Sequence, residues 1–573
     1  MKAADRSSWV TSRRSPAWAV VMAPLAMVSI LAGLSLGATS AGATAYVRVT
    51  GEGSSWSAGA ILQWTSDVQA YGAKIDYAPF GSTTGRQDYL KGLTDFAASD
   101  IPFQTNPTDG SPPEHPAAGS YAYMPITAGG TVFMYNLKIN GQRVTNLRLS
   151  GSNIAKIFTG TINNWDDPAL AVDNPGLKLP SQAIVPVVRS DGSGTSYELS
   201  EWMISQYPSI WNAYCARVGR TGECGPTSFY PTVPGMIAQS GDQQVSGYVS
   251  QSYANGAIGY VNNYYAITTD FPTVKMLNAA GYYTEPTAQN VAVSLLKDQV
   301  DTTDVNNPAL YLTQKLDGVY TDPDPRTYPL SSYGYLILPT KVTPTGSFTT
   351  AKGSTLAFFA NYAMCQGQQE VSLLGYSPMP INLVEAGFAQ IAKIPGAVAL
   401  NTDIRKCGNP TFSSNGTNLL ATTAPYPQAC DKQGATQCTT GTGGAAAIAT
   451  PVSSGSRGAG TTNGSTGSTG RTGSTGSTGG SGSQGSTVTG ASGTGTGSAS
   501  SSTNPPCDPT TGACGSSSGG GSAGSDPTAS TATLAVATGW STTQTLLVLI
   551  GLVLLAIILI PGLFWRRMDR RRD

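Results

Sequence analysis

Short apolar runs alternate with helical stretches along the first part of the chain, and the runs end in small polar residues. The run "AYVRVTG" predicts a strand that ends in a Gly-Ser loop at 51–57, and the helical stretch "AGAILQWTSDVQAYG" follows it. The runs "AKIDYAPFGS" and "LKGLTDFAASDIPF" predict two more strands, the second ending at Ser99-Asp100. This alternation predicts an α/β fold with ligand loops at the carboxyl ends of the strands.

A second group of strands follows, in "GGTVFMYNL", "AIVPVVRSDGSGTSYELSEWM" and "NGAIGYVNNYYA". The late strand "YPLSSYGYLILPTK" and the helical "STLAFFANYAMC" and "NLVEAGFAQIAKI" are expected to return to the first group. We therefore predict two lobes joined by two crossings. Residues 46–130 form the first part of lobe 1, 131–324 form lobe 2, and 325–409 form the return part of lobe 1.

Both ends of the chain carry membrane signals. Residues 1–45 contain basic residues, an apolar run and the small-residue site Ala43-Thr44-Ala45, which is the layout of a cleaved signal peptide. The uncharged segment 545–565 is long enough for a transmembrane helix. The basic tail 566–573 follows it and predicts a cytoplasmic C-terminus. We expect a single-pass protein of the cell membrane with its binding domain on the extracytoplasmic side.

Low-complexity sequence separates the folded part from this anchor. A disulfide-bearing extension is expected at 410–440, and a disordered linker rich in Gly, Ser and Thr at 441–540. Eight cysteines outside the membrane favour disulfides, because the chain has one histidine and lacks a CxxC pair. Proximity suggests four pairings, with other connectivities open: Cys215 with Cys224, Cys365 with Cys407, Cys430 with Cys438, and Cys507 with Cys514.

Catalytic chemistry has little support in this sequence. The one histidine, His115, lies in the proline-rich "SPPEHPAAG" and supplies neither a nucleophile–base pair nor a metal cluster. The loop at Asp191 lacks the Gly-Lys-Ser/Thr of a Walker A motif and is not a nucleophile elbow. No cofactor and no metal are expected. The exposed part is acidic once the basic ends are set aside, which disfavours nucleic acid as a partner.

Anion binding has better support, because hydroxyls and backbone N–H groups recur at three strand ends. Each of these loops precedes a predicted helix, whose N-terminal amides favour an anion, and Arg189 adds a fixed positive charge. Several blocks, in order, resemble the phosphate-binding protein of the ABC phosphate uptake system, the PstS family. They are "GEGSSWSAGAILQW", "GSTTGRQDYLKGLTDFAASDIPF", "IFTGTINNWDDPAL", "NPGLKLPSQAIVPVVRSDGSGTS" and "GAIGYV".

The resemblance implies a two-lobed, hinged binding protein of the periplasmic type that closes on one phosphate and delivers it to a membrane ABC permease. It also implies the residues that contact phosphate: Ser55, Trp56, Ser82, Asp100, Arg189, Ser193, Gly194 and Thr195. Trp56 replaces the family's usual phenylalanine, which is tolerated if its backbone amide is the donor. Ser55 stands where threonine is usual and keeps a hydroxyl. Asp191 is expected to orient Arg189.

These residue types suit a buried oxyanion that carries a proton. Convergent donors satisfy its lone pairs, and one arginine adds a charge-assisted fork. Asp100 accepts the proton of phosphate, whereas fully ionised sulfate meets a buried like charge. Within the binding class, another oxyanion and a role in sensing or scavenging stay open. The rival classes are a cell-surface phosphoesterase, disfavoured by the missing histidines, and a structural stalk or adhesin, suggested by the linker alone.

Overall fold

The computed structural model describes residues 46–220, 224–344, 346–398 and 403–453 of the 573-residue chain. The predicted signal peptide, the transmembrane helix at 545–565, the basic tail, the linker beyond 453 and the Cys507–Cys514 pair lie outside these residues. Across the described ranges, no helix combines the length and apolar character that a membrane span requires.

The described chain alternates strands and helices, as its sequence predicts. The strands are β1 Val49–Gly53, β2 Ile75–Ala78, β3 Phe96–Ser99, β4 Tyr121–Tyr135, β5 Lys138–Ile139, β6 Gln142–Arg143, β7 Arg148–Leu149, β8 Val185–Arg189, β9 Ile237–Gln239, β10 Ala257–Asn262, β11 Lys275–Leu277, β12 Tyr283–Thr284 and β13 Ser331–Pro339. The helices are α1 Ala58–Val68, α2 Ser82–Lys91, α3 Gly151–Phe158, α4 Pro168–Asp173, α5 Gly194–Gln206, α6 Pro208–Arg217, α7 Gly241–Val249, α8 Asn263–Thr268, α9 Ala288–Ser294, α10 Asp317–Tyr320, α11 Thr350–Met364, α12 Ile381–Ile391 and α13 Leu419–Thr422.

One eight-stranded sheet runs through both lobes in the order β2-β1-β3-β13-β4-β10-β8-β9. Strand β1 is parallel to β2 and β3, and β8 is parallel to β9 and β10, so each lobe has a parallel α/β half-sheet. The long strand β4 joins them. Its residues 121–130 pair with β13, and its residues 131–135 pair with β10. The predicted two-lobed α/β architecture is confirmed.

Two hydrophobic cores divide at this shared strand. Ala128 belongs to the first core and Val132 to the second, which places the division at Gly129-Gly130. Leu330 still belongs to the second core, whereas Tyr333 belongs to the first. The return to lobe 1 therefore begins at β13, a few residues after the predicted 325.

The segment between 285 and 316 departs from the predicted division. Val291 and Leu312 lie in the core of lobe 1, although their sequence positions fall in the range assigned to lobe 2. Apolar character alone does not reveal which of two adjacent cores a side chain enters. This segment therefore lies along both lobes.

The residues 403–453, which we call the C-terminal strap, run from lobe 1 to lobe 2. At one end, Asn409 Nδ2 donates to the carbonyl of Met379 at 3.1 Å. At the other, the Arg148 guanidinium donates to the carbonyls of Cys430 and Ala435, both at 2.8 Å. The strap therefore adds a connection between the lobes that the sequence did not predict.

The predicted start of the disordered linker at 441 is wrong. Thr442 is fully buried and its hydroxyl donates to the carbonyl of Thr145 at 2.9 Å. Ala445 is buried, and the Thr145 hydroxyl donates to the carbonyl of Ile448 at 2.6 Å. Composition did not predict this folded segment, because small side chains can pack against an existing core without a hydrophobic pattern of their own. The folded part extends to at least 453.

Three disulfides form within the described residues, with the pairings that proximity suggests. Cys215 bonds Cys224, Cys365 bonds Cys407, and Cys430 bonds Cys438. The second ties the start of the strap to the end of α11, and the third closes a short loop against lobe 2.

Candidate functional site

The polar loops that follow β1, β2, β3 and β8 meet where the two lobes touch. Helices α1, α2 and α5 begin beside them, so their N-terminal turns converge on the same point. The Thr83 amide of lobe 1 donates to the Gly192 carbonyl of lobe 2 at 3.0 Å. The structure therefore has the two lobes in contact along this seam, and the site lies within it.

The first loop, residues 54–57, is held by three tyrosines. The hydroxyls of Tyr77, Tyr265 and Tyr376 donate, each at 2.7 Å, to three successive carbonyls, those of Ser54, Ser55 and Trp56 in that order. In a trans peptide the N–H points away from its C=O, so the amides of Ser55 and Trp56 are directed away from Tyr77 and Tyr265. This loop thus presents a fixed row of donors.

Several of these donors have no acceptor within the protein. Over the described ranges, no hydrogen bond is donated by the amides of five residues at the loops after β1, β2 and β8: Ser55, Trp56, Ser82, Gly194 and Thr195. Buried backbone N–H groups are nearly always paired, and the first amides of a helix favour an anion. Unpaired amides from both lobes are what an oxyanion site requires.

Asp100 joins the two lobes at the centre of the seam. One carboxylate oxygen accepts from the Ser54 hydroxyl. The other accepts from Ser82 Oγ at 3.2 Å and from Thr195 Oγ1, on lobe 2, at 3.3 Å. Burial raises the pKa of Asp100 to about 6, and the negative charge of Asp242 adds to the effect. Asp100 is therefore an acceptor whose protonation changes near neutral pH.

Arg189 is the last residue of β8, and two carboxylates hold its guanidinium. Its Nε and one terminal nitrogen, Nη2, donate to Asp191 at 2.8 and 2.5 Å, which is a bidentate fork. Its other nitrogen, Nη1, donates to Asp242 at 2.5 Å. Burial opposes a charged guanidinium, but Asp242 and Asp191 outweigh it and raise the pKa of Arg189. Arg189 also holds the pKa of Asp191 below its usual value despite burial. Arg189 is thus permanently charged and held in one plane.

The loop that begins α5 supplies donors by close backbone approach. Ser193 Oγ accepts from the Ser196 amide at 3.2 Å and so caps the helix. A side chain on Gly194 would place its Cβ 2.7 Å from the Cβ of Asp100 and 2.8 Å from Ser82 Oγ. Glycine is therefore required at 194 for the two lobes to meet, since any other residue would hold them apart.

Asp242, at the start of α7, is the residue that the sequence analysis missed. It is fully buried, and in addition to Arg189 it accepts from the Asn262 amide at 2.8 Å. Its position in "QSGDQQV" resembles an ordinary acidic residue in the first turn of a helix. The available signal was the Ser-Gly pair after strand β9, which repeats the small-residue loops of the other strands.

The structure brings all nine predicted site residues together, but the Ser55 hydroxyl is not free for a ligand as the prediction expected. The Ser55 hydroxyl donates to Asp242 at 2.5 Å and accepts from the Asp242 amide at 3.0 Å, so its one proton is already used. The Trp56 indole is buried and donates to Thr131 Oγ1 at 3.1 Å. In both residues the backbone amide, rather than the side chain, is without a partner among the described residues.

The charges of the site restrict the ligand it can hold. The buried carboxyl groups of Asp100 and Asp242 and the half-buried one of Asp191 lie beside a single guanidinium, so the attraction for an anion comes from hydroxyls and amides rather than from net charge. An anion that carries a proton can share it with Asp100. No group of three or more histidine, cysteine, aspartate or glutamate side chains among the described residues is arranged to hold a metal ion.

Comparison with known proteins gives consistent matches. The model of the PBP superfamily domain matches residues 38–366. The phosphate-binding protein PstS of Xylella fastidiosa is 30% identical over 348 residues, which are 60% of this chain and 85% of that protein. PstS of Pasteurella multocida is 29% identical over 345 residues, 60% of this chain and 89% of that protein.

Among solved structures, the phosphate-binding protein from Stenotrophomonas maltophilia is 19% identical. The match covers 65% of this chain and 99% of that chain, with a TM-score of 0.44.

Proposed function

Because this chain belongs to the PstS family of phosphate-binding proteins, we propose that it captures inorganic phosphate between its lobes on the extracytoplasmic side and delivers it to an ABC permease. It is a substrate-binding protein and not an enzyme. The observation that carries the proposal is the convergence of unpaired amides from both lobes beside the carboxyl group of Asp100.

The proposed contacts follow from the donors that the fold leaves free. The backbone amides of Ser55 and Trp56 bind phosphate from the first loop, and Ser82 contributes its amide from the start of α2, since its hydroxyl donates to Asp100. Three further donors come from the start of α5 in lobe 2. They are the Ser193 hydroxyl and the backbone amides of Gly194 and Thr195. Arg189 has five N–H groups and uses three on carboxylates, so two remain for a phosphate oxygen.

Selectivity rests on Asp100. Phosphate near neutral pH keeps at least one proton, so it donates to a carboxylate, whereas sulfate has none to donate and is repelled. Arsenate shares the proton and competes with phosphate for the site.

Isothermal titration of the detergent-solubilised full chain tests this function. We expect phosphate and arsenate to bind and sulfate to bind at least about a hundredfold more weakly, since a buried unpaired charge costs several kcal/mol. The variant Asp100→Asn should reduce the difference in affinity between phosphate and sulfate. Equal affinity for sulfate and phosphate in the unmodified protein would contradict the proposal.

The membrane anchor is also part of the proposal. Segment 545–565 is uncharged and is followed by five arginines within the last eight residues, so it suits a single transmembrane helix with a cytoplasmic C-terminus. The Gly, Ser and Thr-rich segment after 453 has the composition of a flexible tether. It would keep the binding lobes at a high local concentration near the permease.

A further inference from the structure

The carboxylate of Asp242 has contacts that reach three different parts of the site. Its two oxygens accept from the Asn262 amide, the Arg189 guanidinium and the Ser55 hydroxyl. Its own amide donates back to Ser55 Oγ. Lobe 2 supplies Asn262 and Arg189, whereas Ser55 belongs to lobe 1. Asp242 therefore connects the charged side chain of one lobe with the amide-bearing loop of the other.

The contact with Arg189 completes an enclosure that Asp191 alone does not provide. Asp191 takes the Nε edge of the guanidinium, and Asp242 takes Nη1 on another edge. The Gly241 amide, next to Asp242, donates to Asp191 at 2.8 Å, so the start of α7 holds both carboxylates. With both in place the guanidinium cannot turn about its long side chain, and its two remaining N–H groups keep one direction.

The contact with Ser55 determines what the first loop can offer. A hydroxyl has one proton, and Ser55 donates it to Asp242. Because Asp242 also donates to the same oxygen, the two residues form a reciprocal pair across the seam. Their bond lies between lobes, so it is made when the lobes meet.

We propose that Asp242 is a positioning residue for the anion: it fixes the plane of Arg189 and, through Ser55, ties that orientation to the contact between the lobes. This inference rests on the proposed function, since the anion is phosphate. Asp242 does not itself touch the ligand in this arrangement. It acts by holding two residues that do.

Titration of phosphate into the full chain with Asp242→Asn tests the proposal. The amide keeps the shape and an acceptor for Asn262 but removes the charge that holds Arg189. We expect the affinity to fall at least about tenfold, the effect of losing one strong buried contact. Asp173→Asn is the matched control. Asp173 is also a buried carboxylate of lobe 2, bonded to Ser150, Asn153 and Tyr283, away from the site. Its affinity should stay within about twofold of the unmodified protein.

Two double-mutant cycles separate positioning from a general loss of stability. In the Arg189→Lys background, Asp242→Asn should reduce the phosphate affinity much less than it does in the unmodified protein. Lysine has no guanidinium plane that Asp242 could fix. In the Asp242→Asn background, adding Ser55→Ala should cause almost no further loss of phosphate affinity. If Ser55→Ala reduced the phosphate affinity equally in the unmodified protein and in the Asp242→Asn variant, the Ser55 hydroxyl would bind phosphate directly.

The outcomes distinguish the inference from the function on which it rests. If the unmodified protein binds phosphate and folded Asp242→Asn binds it equally well, the positioning role is wrong and the function stands. The positioning role is also wrong if Asp242→Asn reduces the phosphate affinity equally in the unmodified protein and in the Arg189→Lys variant. If the unmodified protein binds no phosphate, both statements fall.

Discussion

At the residue scale, the protonation of Asp100 links the site to the stability of the fold. The seam removes this carboxyl from water, and the nearby charge of Asp242 disfavours a second anion. Its pKa of about 6 lies above the ordinary value of 3.8, so ionising it destabilises the unligated fold. The stability that the neutral form provides is fully present below pH 4 and is lost as the pH rises through 6.

We therefore expect the free energy of unfolding of the phosphate-free protein to fall with pH, relative to Asp100→Asn, which does not titrate. The relative loss between pH 4 and pH 7 should reach up to about 3 kcal/mol. Urea unfolding of both proteins across this range measures it, and taking the difference cancels the titration of other groups. A difference that does not change with pH would show that Asp100 is ionised without cost.

At the scale of elements, the first ligand loop is aimed by tyrosines from outside it. The Tyr376 hydroxyl, which follows α11 in the chain, is the partner of the Trp56 carbonyl. Removing it leaves a buried carbonyl unpaired and loosens the peptide between Trp56 and Ser57, which directly follows the two free amides of this loop.

The variant Tyr376→Phe should lose about 1–3 kcal/mol of unfolding free energy and bind phosphate about threefold to tenfold more weakly. Tyr253→Phe is the control, since Tyr253 is exposed on lobe 2. Calorimetry and titration of the same samples give both quantities. Unchanged binding in a destabilised Tyr376→Phe protein would mean that the loop holds its shape without this bond.

The sequence predicted elements better than it predicted their partners. The strand–loop–helix order and the loops at Ser55, Ser82 and Ser193 are local patterns, and short-range physics reveals them. The opposite roles of Ser54 and Ser55 were not predictable, because adjacent hydroxyls differ only in which lobe they face. Ser54 bonds Asp100, whereas Ser55 bonds Asp242. Asp242 itself lies 53 positions beyond Arg189, and no spacing rule connects them.

At the scale of the whole molecule, the strap determines where the protein can be cut. A chain that ends after Ser453 keeps Thr442, Ala445 and Thr450 in place on lobe 2, whereas one that ends after Ala435 loses them together with Cys438. Losing the Cys430–Cys438 bond and the contacts beyond it should cost at least about 2 kcal/mol.

We expect the longer form to be released from the membrane with the phosphate affinity of the full chain, and the shorter form to unfold at lower denaturant concentration. Fractionation of cells measures release from the membrane, titration measures the phosphate affinity, and urea unfolding measures the stability. A longer form that stayed in the membrane would identify the N-terminal apolar run as an uncleaved anchor. Equal stability of the two forms would mean that residues 436–453 add nothing to the fold.

The division of each lobe between distant stretches of chain has a consequence for biosynthesis. Lobe 1 needs β13 and the helices after it, and lobe 2 needs the end of the strap near 450, so neither core is complete when the first half has left the ribosome. Domains usually fold as units during synthesis, but here packing residues of lobe 2 are also nearly the last residues that the structure describes. Neither lobe can therefore complete its core until most of the described chain has been synthesised.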